Sequence, residues 1–149
     1  MSERQSITAY LVASDAAAAI DFYKSVLGAE EPGARITMPG GKVGHAELKI
    51  GNSTLYLADE FPDIGALSPK SVGGCPVMLS VMVPDVDVVA ERARAAGARM
   101  LGEIQDKFYG DRTGQFEDPF GFRWSIATQI EEVTPEELER RAAEMFGEG

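Results

Sequence analysis

His45 is the only histidine in this chain, and Glu47 stands two residues after it in "GHAELKI". Residues two apart on a strand point to the same face. That spacing sets a carboxylate beside an imidazole, an arrangement that orients a histidine and stabilises its protonated form. His45 and Glu47 are therefore the catalytic candidates, as base and supporting acid. The spacing equally suits a strand histidine that merely bonds to its neighbour. Cys75 is the single cysteine, set between Gly74 and Pro76. No intrachain disulfide is possible, and with one histidine in the chain Cys75 reads as a small packing residue rather than a nucleophile.

Alternation along the other strands exposes further candidates. Ala46, Leu48 and Ile50 form the oily face opposite His45, Glu47 and Lys49. Thr8 and Tyr10 oppose Ile7, Ala9 and Leu11, while Tyr56 lies between Leu55 and Leu57. Met78 and Ser80 oppose Leu79 and the valines; Arg123, Ser125 and Gln129 oppose Trp124 and Ile126, which belong to the core. A mixed face of Tyr, Met, Ser, His and Glu suits a pocket with a few polar anchors. A half-solvated sheet face or a dimer surface would carry the same pattern. Phe108, Tyr109 and Arg112 fit a pocket rim, with rings for stacking and a guanidinium for an anion. The blander reading of "YGDRTG" is a tight turn in which Asp111 and Arg112 pair with each other.

A repeat must position these residues. "ITAYLVASDAAAAIDFYKSVLGAE" and "PVMLSVMVPDVDVVAERARAAGAR" each read as strand, N-capping Asp, helix and Gly-Ala. Gly44 and Gly51 recur as Gly114 and Gly121, shifted by 70 residues. The expected fold is α+β, two βαβββ modules in one domain over 1–149. Module one spans about 6–60, a linker 61–76, module two 77–130, and a C-terminal helix 134–146. The expected strands are 6–12, 30–37, 43–50, 54–59, 77–83, 98–105, 111–117 and 123–130, with helices at 15–27 and 85–96. Gly28 and Gly97 fit helix C-caps. Thr134, Pro135 and Glu137 make a capping box for the last helix.

With 24 acidic against 14 basic residues, the chain carries a formal net charge of −10. Such a surface repels a phosphate backbone, so nucleic acid is not an expected partner. No run approaches the roughly 18 apolar residues of a membrane span, and "MSERQSITAYLV" lacks an apolar leader core. A cytoplasmic location with no membrane partner is expected.

The paired modules, "AIDFYKSVLGAE", "HAELKIGNSTLYLADE" and "YGDRTGQFEDPFGFRWSIAT" together resemble the vicinal-oxygen-chelate superfamily, which holds glyoxalases, bleomycin-resistance proteins and extradiol dioxygenases. Within it the sequence is most similar to the PhnB-like branch. The resemblance implies two modules wrapping a half-barrel cavity, within one chain or across a homodimer. It also implies a divalent metal held by His or Glu from four strand positions. Those positions map to Thr8, Tyr56, Met78 and Ser125, which suit such a cation poorly. PhnB-like relatives also carry His where this chain has Phe122 and Gln129. No metal or other cofactor is therefore expected. The leading expectation is a small-molecule-binding protein of the bleomycin-resistance type, a homodimer without covalent chemistry. The alternatives are a lyase, isomerase or dioxygenase, which would use His45 and Glu47 or a divalent metal placed atypically, and a degenerate module for dimerisation or regulation.

Overall fold

The computed structural model of the protein describes residues 4–147. They fall into two compact units: residues 4–77 with 118–122, and residues 78–117 with 123–147.

The first unit follows the expected βαβββ order. β1 (Tyr10–Ala13), α1 (Ala16–Leu27), β2 (Ile36–Thr37), β3 (Val43–Ile50) and β4 (Ser53–Asp59) build a sheet ordered β1-β4-β3-β2. β1 runs parallel to β4, and β3 and β4 form an antiparallel hairpin. Asp15 caps α1, its side chain accepting from Ala18 N–H, and Gly28 closes the helix at a left-handed φ of 69°. Ile20, Tyr23 and Val26 from α1 are buried, as are Leu48 and Leu57 from the sheet. A single turn, α2 (Pro69–Val72), lies in the linker.

The second unit repeats the plan. β5 (Met78–Met82), α3 (Val86–Ala95), β6 (Arg99–Met100), β7 (Gln105–Asp106), β8 (Asp111–Glu117) and β9 (Arg123–Gln129) form a sheet ordered β5-β9-β8-β6, with β7 also on β8. β5 is parallel to β9, as β1 is to β4. Asp85 caps α3 by accepting from Asp87 and Val88 N–H, and Gly97 follows the helix at φ 101°. Val86, Val89, Phe116, Trp124 and Ile126 fill this core.

Three elements differ from expectation. The first strand begins at Tyr10 rather than residue 6, and Ile7 is exposed. Ahead of it the Gln5 amide takes the ladder's place, donating to Thr54 O and accepting from Thr54 N–H. The strand expected over 30–37 shrinks to β2 plus a bridge between Glu30 and Lys49, because Pro32 and Gly33 interrupt it. The strand expected over 98–105 splits into β6 and β7 around Gly102, whose φ is 116°.

The last helix, α4 (Pro135–Phe146), starts at Thr134, whose hydroxyl accepts from Glu137 N–H. The expected box is only half made. Instead of reaching back, Glu137 receives Arg140 at 2.7 Å and Arg141 at 3.0 Å. These guanidiniums, Arg140 first, hold the Glu137 carboxyl down to about 2 from its ordinary 4.5. A lowered folded-state value contributes stability that is complete above the ordinary value and lost as pH falls through the lowered one. The protection of the α4 amides, their exchange relative to the intrinsic rate at each pH, should therefore fall between about pH 4.5 and 2 in the wild type. Glu137→Gln should lose that pH response.

Candidate functional site

The parallel pairing of β1 on β4 sets Tyr10 opposite Tyr56, and the β3–β4 hairpin sets Tyr56 opposite Glu47. Cross-strand partners share a face. Tyr10, Tyr56 and Glu47 thus form one row across three strands, on the face turned away from buried Leu48 and Leu57. His45 joins them from β3. Its ring lies 5.5 Å from Tyr10 and 5.1 Å from Tyr56 by centroids, and the two tyrosines are 5.7 Å apart, edge to face. Tyr10 Oη is 2.8 Å from His45 Nδ1, and His45 Nε2 is 3.5 Å from Glu47 Oε1.

A carboxylate can only accept, so the tautomer that satisfies both contacts carries its N–H on Nε2, facing Glu47, and in it Nδ1 accepts from the Tyr10 hydroxyl. The second contact is long, an ion-pair distance rather than a tight hydrogen bond. Burial pushes the Tyr10 phenol above its ordinary range, which keeps it protonated as a donor. The Tyr10 side chain is still about half exposed. The pair read from sequence, His45 and Glu47, is thus part of a larger cluster ending at a solvent-facing hydroxyl. Thr8, two residues before Tyr10, lies ahead of the strand and 3.4 Å from Gln5 Nε2.

The second unit carries the equivalent row. Ser80 pairs with Ser125 across β5 and β9, and Ser125 with Gln115 across β9 and β8. Met78 and Met82 flank Ser80 on the same face and are exposed. Gln115 was not among the sequence candidates; the 70-residue repeat, which sends His45 to position 115, is the signal that points to it. Arg123 stands at the edge of the row, 3.7 Å from Glu117. Gln129 lies at the end of β9, reaching Glu131 O at 3.5 Å.

The rim residues are placed elsewhere in this unit. Arg112 does not pair with Asp111. Its guanidinium is clamped by Asp87 at 2.9 Å and Asp106 at 2.8 Å, and both carboxylates, Asp87 first, raise its affinity for its proton. It braces α3 against β7 and β8. Phe108 and Tyr109 line an open cleft of about 590 Å³ with Gln105, Lys107, Met145 and Phe146. Phe108 packs edge-on against both Tyr109 and Phe146.

The donor set on the mixed faces does not fit a catalytic cation. Thr8, Tyr56, Met78 and Ser125 offer hydroxyls and a thioether where carboxylate and imidazole are needed. The register permits Tyr10 and Ser80 as the opening-strand positions instead, and neither is better. Among the described residues no three His, Cys, Asp or Glu side chains are grouped as metal ligands.

Comparison with known proteins agrees with this architecture. The family profile of the Glyoxalase/Bleomycin resistance protein/Dioxygenase superfamily matches residues 6–126. The chain belongs to this superfamily. An uncharacterized Mycobacterium bovis protein is 39% identical over 137 residues, covering 90% of each chain. Among solved structures, TioX from Micromonospora sp. ML1 is 25% identical with a TM-score of 0.64, covering 87% of this chain and all of that one. A PhnB protein from Bacillus cereus, described as a putative 3-demethylubiquinone-9 3-methyltransferase, shares the fold. It is 21% identical with a TM-score of 0.62, covering 83% and 99% of the two chains. No helix among the described residues is long and apolar enough to cross a membrane.

Proposed function

We propose that this superfamily member, of the PhnB-like kind, binds an apolar or aromatic small molecule without a metal, as a cytoplasmic homodimer. The observation that carries the reading is the make-up of the two mixed faces. One offers Tyr10, His45 and Tyr56 as touching rings beside Glu47; the other offers Met78, Met82, Ser80 and Ser125. Rings and thioethers adapt to an apolar ligand, and the few hydroxyls orient it. Exposed Tyr10, Ile36, Met38, Met78 and Met82 leave apolar surface that a ligand and a second copy of the chain would cover.

Metal analysis and thermal shifts test this together. Protein purified without chelator should hold no stoichiometric metal. Added Ni²⁺, Zn²⁺, Mn²⁺ or Fe²⁺ should leave its melting temperature unmoved. A fitting aromatic ligand at 100 times its dissociation constant should add about 2.7 kcal/mol of stability. One metal per chain with a raised melting temperature would replace this reading with a metal enzyme. Failure of every aromatic and antibiotic-like compound would leave a module serving dimerisation or regulation. Sedimentation of the purified chain as a monomer at micromolar concentration would remove the homodimer.

A further inference from the structure

We propose that the Tyr10–His45–Glu47 chain takes the proton of a bound phenolic or enolic hydroxyl, so that this ligand class is held as its oxyanion. The inference rests on the ligand-binding reading above and names the chemistry of the ligand.

Three features of the cluster point there. Tyr10 Oη lies 2.8 Å from His45 Nδ1 on a half-exposed ring, and with the imidazole N–H on Nε2 it donates there and keeps a lone pair for a ligand. An incoming ligand O–H can donate to that lone pair. The far side of the imidazole meets an acceptor-only carboxylate, Glu47 Oε1, at 3.5 Å. Tyr56 packs against both rings, 5.1 Å from His45 and 5.7 Å from Tyr10. An aromatic ligand carrying a hydroxyl would find ring surface and a proton acceptor in one place.

The proton bookkeeping closes without any other reactant. The ligand O–H proton passes to Tyr10 Oη as the Tyr10 proton passes to His45 Nδ1. The ligand is left as an oxyanion accepting a hydrogen bond from Tyr10. His45 becomes an imidazolium, donating from Nδ1 to Tyr10 Oη and from Nε2 toward Glu47. The carboxylate balances the new charge and keeps its own protonation state, the role of the acid in a catalytic triad. Imidazole is suited to this transfer because one ring nitrogen can accept a proton while the other keeps its own. The groups facing His45 are Tyr10 from β1, Tyr56 from β4 and Glu47 from β3. Lys49 lies further along β3 on the same face, and on β2 the residue paired with His45 is uncharged Ile36. On β3, Lys49 therefore stands beyond the carboxylate from His45 and does not oppose an imidazolium directly.

The probe is 4-nitrophenol, whose phenolate is coloured and whose phenol is not. Calorimetry gives its binding; absorbance, read below the pH at which the free compound ionises, gives its protonation state when bound. The expected result is binding with at least a several-fold higher phenolate fraction than in buffer. Measured per bound ligand at saturation, the excess phenolate should vanish in Tyr10→Phe and His45→Gln, whatever their change in affinity, and fall in part in Glu47→Gln. Nitrogen NMR of ligand-free protein should show the His45 proton on Nε2. Binding with no excess phenolate, or the proton on Nδ1, overturns the relay and leaves the binding reading intact. No binding of 4-nitrophenol at millimolar concentration also overturns the relay. The binding reading falls only if the wider ligand screen fails too.

Discussion

Asp118→Ala is expected to cost about 3–5 kcal/mol of folding stability and lower the melting temperature by roughly 10 °C. Asp118 is 2% exposed, yet it is a carboxylate. It sits there because its oxygens have donors. Oδ1 accepts from Phe120 N–H at 2.9 Å and Phe122 N–H at 3.0 Å, which folds the "DPFGF" turn around it. Oδ2 accepts from the hydroxyl of Tyr23, a fully buried residue of α1. Phe120 adds an edge-to-face contact with Phe22 on the same helix. The turn is thus held to α1 by one side chain and one ring, just before the chain enters β9. Alanine withdraws the acceptor from two buried amides and a buried phenol. Each such loss costs about 1–3 kcal/mol, and partial relaxation keeps the total below the sum. Asp118→Asn retains one acceptor oxygen and should lose about half as much. Tyr23→Phe removes a single donor and should cost about 1–2 kcal/mol. Urea denaturation of the three variants tests the ranking. A loss below about 1 kcal/mol for Asp118→Ala would mean that the turn is held by its rings and not by the carboxylate.

What the sequence makes legible here is what depends on neighbours along the chain. Asp15, Asp85 and Thr134 cap their helices because capping is decided within three residues. β3, β4, β8 and β9 follow from alternation, and the 70-residue repeat places them in matching sheets. The edge strands were less legible. Pro32, Gly33 and Gly102 break the extended run, and the amount of ladder that survives depends on the neighbouring strand. The polar contacts divide the same way. His45 and Glu47 are two residues apart, and strand alternation brings them together. Tyr10 meets His45 only through β4, which pairs in parallel with β1 and antiparallel with β3 and so brings together residues 35 apart. Arg112 had Asp111 beside it, but adjacent residues on a strand point to opposite faces, so the ion pairs went to Asp87 and Asp106. Glu137 had a reciprocal cap available and was taken by two guanidiniums one turn along the helix. For the metal positions, the side-chain types alone were informative. Thr8, Tyr56, Met78 and Ser125 are poor ligands for such a cation in any register.

Gly110→Ala should be strongly damaging to the second unit, at about 3 kcal/mol or more. The residue has φ 100°, outside the range a side chain adopts easily, and an added Cβ would lie 2.4 Å from Glu131 O and 3.1 Å from Val133 Cγ2. The first of these is backbone and cannot step aside alone. Gly110 O accepts from Ile130 N–H at 2.9 Å and Glu131 N–H at 3.1 Å, so relieving the clash breaks the junction where the chain leaves β9. The damage should travel further. Glu131 is paired with Arg141 of α4 at 2.8 Å, and Arg141 also donates to Phe108 O at 3.0 Å. Displacing Glu131 therefore releases α4 as well as the 107–110 loop. Gly40→Ala separates the two causes. Gly40 has a similar φ of 93°, but nothing lies within 4 Å of its added Cβ. It should lose only the backbone penalty, about 1 kcal/mol. Chemical denaturation gives both numbers, and hydrogen exchange in α4 reports whether the helix comes loose in Gly110→Ala alone. Equal losses in the two variants, with α4 still protected, would show that backbone conformation, not the collision with Glu131, sets the requirement for glycine at position 110.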